Sequence, residues 1–295
     1  MLRSVCNQEG GILVISINLG QSTVPAIGVG TWNIGDDPTK HDDEVKAIQT
    51  AIDSGASVID TAEMYGNGRS ERITAEAISP YPREQLFLID KVLPQNASHS
   101  RLEKSLDRSL KLMKTDYFDL YLLHWRGSVP LAETIDELTR MQAKGKIKHW
   151  GVSNFDTADL KELWSLPNGQ ACLANEDLYN LDERGIEYDL LPMMRQNNMP
   201  LIAYSPLAQG DTISGNLTSH PLLKELASNH NASVYQIMLA WAIRDHNTLA
   251  IPKAASPAHA KANIEALKIN LTNDELAALA KEFTKPSHKV PLSVI

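Results

Sequence analysis

From residue 26 onward, short apolar runs alternate with longer amphipathic segments. The runs are AIGVG (26–30), ASVID (56–60), LFLID (86–90), FDLYLL (118–123), IKHWGV (147–152), ACLAN (171–175), LIAYS (201–205) and LAIP (249–252). Between them, apolar residues recur at helical spacing, as at Leu102, Leu106, Leu110 and Met113, then Leu131, Ile135 and Leu138, then Val234, Ile237, Met238 and Trp241. The runs end near residues 30, 60, 91, 124, 153, 175, 204 and 252, and most steps suit one strand plus one helix. That repeat predicts an α/β fold in which eight βα units close into a (β/α)8 TIM barrel. The last step is longer and leaves room for a loop over 208–219 and an extra helical turn.

Local signals refine the boundaries. Ser100-Arg-Leu-Glu103 and Thr272-Asn-Asp-Glu275 read as capping boxes, and Pro130 stands where a first helical turn tolerates a missing N–H. Residues 1–25 contain a hairpin pattern with its turn at Leu19-Gly20-Gln21, placed to plug the bottom of the barrel. Residues 272–285 read as a terminal helix, and Pro286 opens a short tail, so that 272–295 follow the eighth unit. The expected organisation is one barrel domain over 1–295. A doubly wound sheet competes, but it needs a GxGxxG turn after its first strand. Gly28-Val-Gly30 starts that pattern and Asn33 ends it, and Gly66-Asn-Gly68 fails likewise.

Composition narrows the function classes. A net charge of −8 without a clustered Lys/Arg face excludes a nucleic-acid footprint, and Lys144–His149 reads as the solvated end of a helix entering a strand. Cys6 and Cys172 stand far apart with no CxxC spacing, and the N-terminus lacks a signal-peptide pattern. No apolar segment approaches a membrane span. A cytoplasmic protein is expected, and with no exposed apolar stripe in the pattern, a monomer. The histidines include no HxH or HExxH spacing, so no metal site is expected and a metal-dependent barrel hydrolase is disfavoured.

The chemistry concentrates where the second, third and fourth runs end: Asp60 and Tyr65 in IDTAEMYGNG, Lys91 in FLIDKV, His124 in LYLLHW. In a parallel barrel those ends share one mouth. A phenol with an ordinary pKa near 10 is a poor acid at neutral pH; an ammonium from Lys91 would lower it, and Asp60 would keep Lys91 charged. His124 could set an imidazole N–H on a substrate oxygen. Each residue alone has a bland reading, as ion pair, packed ring or core histidine. All four on adjacent strand ends favour proton transfer at one carbonyl or hydroxyl.

With DTAEMYGNG, the Lys ending the third strand, LLHW, GVSNF, AYSPL and IPK in this order, the chain resembles the aldo-keto reductases from about Gly28 to Asn263. The resemblance implies an oxidoreductase that moves hydride reversibly between a nicotinamide cofactor, usually NADPH, and a carbonyl. Asp60, Tyr65, Lys91 and His124 match the family's catalytic tetrad, with Tyr65 as general acid in reduction. Gly30, Thr31 and Trp32 match the first-strand segment near the cofactor. Ser153 and Asn154 match the pair that holds the carboxamide, and Tyr204 the ring on the nicotinamide face. Ser205 and Leu207 match pyrophosphate contacts, and Lys253, the position of His259, and Asn263 the adenosine end. Phosphate binding after strands seven and eight, near a helix N-terminus, is also what a barrel favours physically.

Three departures fall on the cofactor side. Glu176 replaces the usual Gln; as a carboxylate it accepts from the carboxamide NH2 but cannot donate to its carbonyl. Ala254 replaces a hydroxyl residue, and His259 lacks the fork of the usual Arg, which weakens the expected grip on a 2′-phosphate. NADPH is expected, with NADH possible. Trp32 and Trp125 predict an aromatic pocket wall for small carbonyl substrates, and the short loop Arg126–Val129 and short tail predict an open mouth. Arg126 reads as a solvated rim residue. The competing function is a cofactor-binding partner or regulatory subunit of the same fold with little turnover, which has no need of an intact tetrad.

Overall fold

The computed structural model describes residues 7–9, 12–208 and 217–295. Two antiparallel pairs come first: β1 (Asn7–Glu9) with β2 (Ile12–Val14), and β3 (Ser16–Leu19) with β4 (Ser22–Pro25). The second pair is the hairpin read from the sequence, turning at Gly20-Gln21. Gly20 is left-handed at φ +62°, and a Cβ there would stand 2.5 Å from His149 Nε2. That approach sets the hairpin against the N-terminal end of a barrel strand, with Ile17 and Leu19 buried beneath it.

Eight parallel strands follow: β5 (Val29–Gly30), β6 (Val58–Asp60), β7 (Phe87–Val92), β8 (Phe118–Leu123), β9 (Ile147–Ser153), β10 (Asn175–Leu178), β11 (Leu201–Tyr204) and β12 (Thr248–Ala250). They hydrogen-bond in chain order, and bridges Ile27–Ala250 and Gly30–Lys253 join the first to the last. The sheet therefore closes into the (β/α)8 barrel. Strands β7 and β8 are buried at every position, because helices cover the outer face and packed side chains fill the axis. The three periodic segments fold as helices Leu102–Met113, Leu131–Ala143 and Val234–Ala242. A further helix, Pro221–Asn229, occupies the long last step, and Asn273–Glu282 forms the terminal helix. Most of the anticipated loop, residues 209–216, lies outside the described residues, as does Cys6.

Two local readings change. The sixth strand runs over 175–178 rather than 171–175: Gly169–Ala171 form a 3-10 turn, and pairing with β9 begins at Leu173. The strand then continues through Asn175, Glu176 and Asp177, all buried, so an apolar-run rule stops too early. Ser100 does not cap its helix. Arg101 takes the N-cap position without a side-chain cap, and Glu103 instead pairs with Arg140, Lys144 and Lys146 at 2.9, 2.6 and 2.8 Å. The Thr272–Glu275 box forms as expected.

Barrel closure sets a demand on Gly30. A Cβ there would lie 2.5 Å from the Ile251 carbonyl oxygen, across the seam between first and last strands. Backbone cannot yield as a flexible side chain can, so Gly30→Ala is expected to cost about 1–3 kcal/mol of stability. Urea denaturation measures it; an unchanged midpoint would contradict this view of the seam.

Candidate active site

Strand pairing places the four tetrad candidates at one end of the barrel. Asp60 ends β6, Lys91 lies next to last in β7, and His124 follows β8. Tyr65 opens a 3-10 turn four residues beyond Thr61, whose carbonyl also receives Lys91 Nζ at 3.1 Å. Lys91 is fully buried and donates to both Asp60 carboxylate oxygens at 2.6 Å and to the Tyr65 hydroxyl at 3.4 Å. The Tyr65 and His124 rings meet edge to face, 5.8 Å between centroids. An acid, its neighbouring ammonium, a counter-ion and an imidazole thus share one buried cluster.

Electrostatics partly correct the expectation for Tyr65. Burial drives its pKa up, and although Lys91 pulls it down, Asp60 and Glu176 push the same way as burial. The phenol is therefore held protonated well beyond neutral pH. Burial opposes the charge on Lys91, but Asp60, Glu176 and Tyr65 overcome it, and the amine stays an ammonium. At Asp60 burial outweighs Lys91 and raises the carboxyl. His124 is pushed down to about 3, by burial and then by Lys91, so its imidazole is neutral at physiological pH. A neutral ring still has one N–H to offer, and its Nδ1 has no hydrogen-bond partner among the described residues.

Two cavities adjoin the cluster. The smaller, about 120 Å³, is lined by Tyr65, His124, Trp32, Trp125, Ser153, Asn154, Glu176, Tyr204 and Ser205. Met64 and Ile295 also line it. The larger, about 640 Å³, takes in Trp32, Ser205, Leu207, Lys253, His259 and Asn263. It also reaches Ser233 and Tyr235 at the start of one helix, beside the N-terminal turn of helix Pro257–Glu265, where Ser256 caps the His259 N–H. Trp32 and Ser205 line both cavities and join them.

The remaining sequence candidates fall into distinct positions. Gly30 and Thr31 lie behind the cavity walls: Gly30 N–H bonds Pro252 O across the seam, and the Thr31 hydroxyl donates to Asp60 O. Ser153 donates to the Glu176 carbonyl, Asn154 Nδ2 to Ser153 Oγ and His124 O, and the Tyr204 hydroxyl to Asn154 Oδ1 at 2.8 Å. This chain of bonds ties β8, β9, β10 and β11 together at the mouth. Arg126 is held by Glu162 at 2.9 Å, as a rim residue. The tail is not clear of the mouth, as its shortness suggested. Lys289 pairs with Asp156 and Asp189, and the chain beyond brings Ile295 to the smaller cavity. Met64 could have been inferred from its place beside Tyr65; Ile295 had no sequence signal.

Comparison with known proteins agrees with this geometry. The sequence profile of the Aldo/keto reductase family matches residues 26–282. The chain is 44% identical over 276 residues to methylglyoxal reductase YeaE of Escherichia coli (strain K12), covering 94% of this chain and 97% of that protein. It is 27% identical to the NADH-specific methylglyoxal reductase of the same strain, over 89% of this chain and 95% of that one. The crystal structure of an aldo/keto reductase from Klebsiella pneumoniae in complex with NADP and acetate superimposes with a TM-score of 0.94 at 42% identity, over 96% of this chain and 100% of that one. The chain belongs to the aldo-keto reductase family.

Proposed function

We propose that this protein reduces small aldehydes or ketones to alcohols with NADPH, Tyr65 serving as the general acid. The observation that carries the reading is the buried cluster in which Lys91 bonds both Asp60 and Tyr65, beside a neutral His124 in a cavity of about 120 Å³. A binding subunit would gain nothing from burying an ammonium against a phenol, which costs several kcal/mol unless well paired.

The residues present fit a nicotinamide dinucleotide. The larger cavity offers one cation, Lys253, and a helix N-terminus for phosphate groups, and Ser205 and Trp32 connect it to the reacting centre. Ser153, Asn154 and Glu176 would hold the carboxamide, with Tyr204 against the ring. Bound there, the cofactor supplies the hydride. His124 directs its N–H to the substrate oxygen and orients it. Tyr65 gives its O–H proton to that oxygen as charge develops, and Lys91 stabilises the phenolate left behind. Asp60 keeps Lys91 charged. Trp32, Trp125, Met64 and Ile295 form an apolar wall that suits a compact carbonyl, and the relatives named for methylglyoxal make a 2-oxoaldehyde the first substrate to try.

A carbonyl panel including methylglyoxal, assayed with NADPH and NADH in parallel, tests the reading. Tight NADPH binding without turnover on any carbonyl would favour the partner-subunit alternative. Lys253→Ala is expected to weaken NADPH by about 10–100-fold, the range of a lost charged contact, and to weaken NADH far less. Equal losses for both cofactors would place Lys253 away from the 2′-phosphate.

A further inference from the structure

Glu176 stands in a different position from the one its formal charge suggests. It is buried on β10, with Oε1 3.4 Å from Lys91 Nζ and Oε2 without a hydrogen-bond partner among the described residues, and it lines the smaller cavity. One ammonium thus faces two carboxyl groups, Asp60 and Glu176. Asp60 holds the shorter contacts, two at 2.6 Å. Ionising both acids would leave a net negative charge on groups that are almost wholly buried, so one of them keeps a proton. Geometry assigns it to the acid with the weaker hold on Lys91.

We propose that Glu176 is a neutral carboxylic acid whose free oxygen carries the proton and donates it as a hydrogen bond to the carboxamide carbonyl of the bound cofactor. The inference rests on the cofactor reading above. Oε1 accepts from Lys91, which leaves Oε2 as the site for the O–H and the cavity as its outlet. A neutral acid offers one donor and one acceptor, as an amide does, whereas a carboxylate only accepts.

The surrounding groups agree. Burial first, then the Asp60 charge, raise the Glu176 carboxyl well above its ordinary range, with Lys91 opposing and Asp177 on the same strand adding to the rise. Among the described residues, the other titratable side chains lining the cavity are Tyr65, Tyr204 and His124; burial holds both phenols protonated and the imidazole neutral, so none of these side chains supplies a second cation. On β9, Ser153 presents only a hydroxyl to the Glu176 carbonyl. Because the folded carboxyl titrates above its ordinary value of 4.5, stability from its neutral form is fully present below that value and is lost as pH rises through the folded pKa.

The test is equilibrium binding of NADPH to wild type and Glu176→Gln from neutral to alkaline pH, followed by cofactor fluorescence. Wild-type affinity is expected to fall about tenfold relative to Glu176→Gln as pH rises, the cost of one lost hydrogen bond to a buried group. The amide cannot titrate and keeps both donor and acceptor. Calorimetry of the wild type in two buffers of different ionisation heat should find proton uptake with NADPH binding at alkaline pH, and this does not require the variant to fold. Thermal melts without cofactor should separate the two proteins progressively from about pH 4.5 upward, to the wild type's disadvantage. Tight NADPH binding with parallel pH profiles and no proton uptake would overturn the proposal and leave the cofactor reading standing. No NADPH binding by either protein would overturn both.

Discussion

Tyr65→Phe is expected to lower carbonyl reduction by about 10²–10⁴-fold, the usual share of a positioned general acid, and to leave NADPH binding nearly unchanged. The ring stays in place, since only the hydroxyl is removed, and its one hydrogen bond among the described residues is the 3.4 Å bond from Lys91. The edge-to-face packing on His124 survives, as does the ion pair behind it. The loss should therefore fall on kcat and kcat/KM together, the pattern of an interaction made at the transition state. Burial holds the phenol protonated, so the proposed acid keeps its proton throughout the neutral range. A rise in the Kd for NADPH matching the loss of activity would make Tyr65 a binding residue and remove it from the role of acid.

The four candidates were legible because Asp60, Lys91 and His124 stand at or just past otherwise apolar strand ends, where a polar side chain has few reasons to be, and Tyr65 opens the turn that follows Asp60. The barrel was legible because β7 and β8, buried on both faces, read as mostly apolar runs. The rule failed at β10, where Asn175, Glu176 and Asp177 are buried yet polar, and the strand starts where the apolar run stops. The same residues include Glu176, on which the proposed neutral acid rests. No spacing in the sequence brings Glu176 within 3.4 Å of Lys91; only barrel closure does. Ser100 misled because a capping box is local, whereas Glu103 is claimed by three cations from elsewhere in the chain. Ile295 reaches the cavity through the Lys289 pairs with Asp156 and Asp189, contacts over 100 residues of sequence or more that no pattern announces. The lowering of the Tyr65 pKa by Lys91 was foreseen in sign, but burial and two carboxyls outweigh it, and burial is a property of the fold.

Lys91→Met should produce the largest loss of stability, about 3–5 kcal/mol, the cost of stranding a buried charge whose partner has been removed. Methionine fills much of the same volume, so the effect isolates the charge. Asp60 is only 2% exposed and its carboxylate has both oxygens on Lys91, while Glu176 loses the same ammonium. The main influence lowering the Asp60 carboxyl is then gone, while burial already holds it above its ordinary value of 3.8. The sign of the pH dependence follows. A carboxyl with a raised folded pKa contributes its stability below the unfolded value and loses it as pH rises through the folded one. The deficit of Lys91→Met against wild type should therefore be smallest near pH 4 and widen toward pH 8. In the wild type Lys91 is held charged above its ordinary 10.5, so the pair stays intact across that window. Removing both partners in Asp60→Asn/Lys91→Met takes away the stranded charge, and the double variant should be more stable than Lys91→Met alone while remaining inactive. Urea denaturation of the three proteins at acidic and mildly alkaline pH measures all of this. A single-variant cost near 1 kcal/mol, or a double variant no better than the single, would mean that water reaches Asp60 and that the ion pair is not the sealed anchor on which the acid at Tyr65 depends.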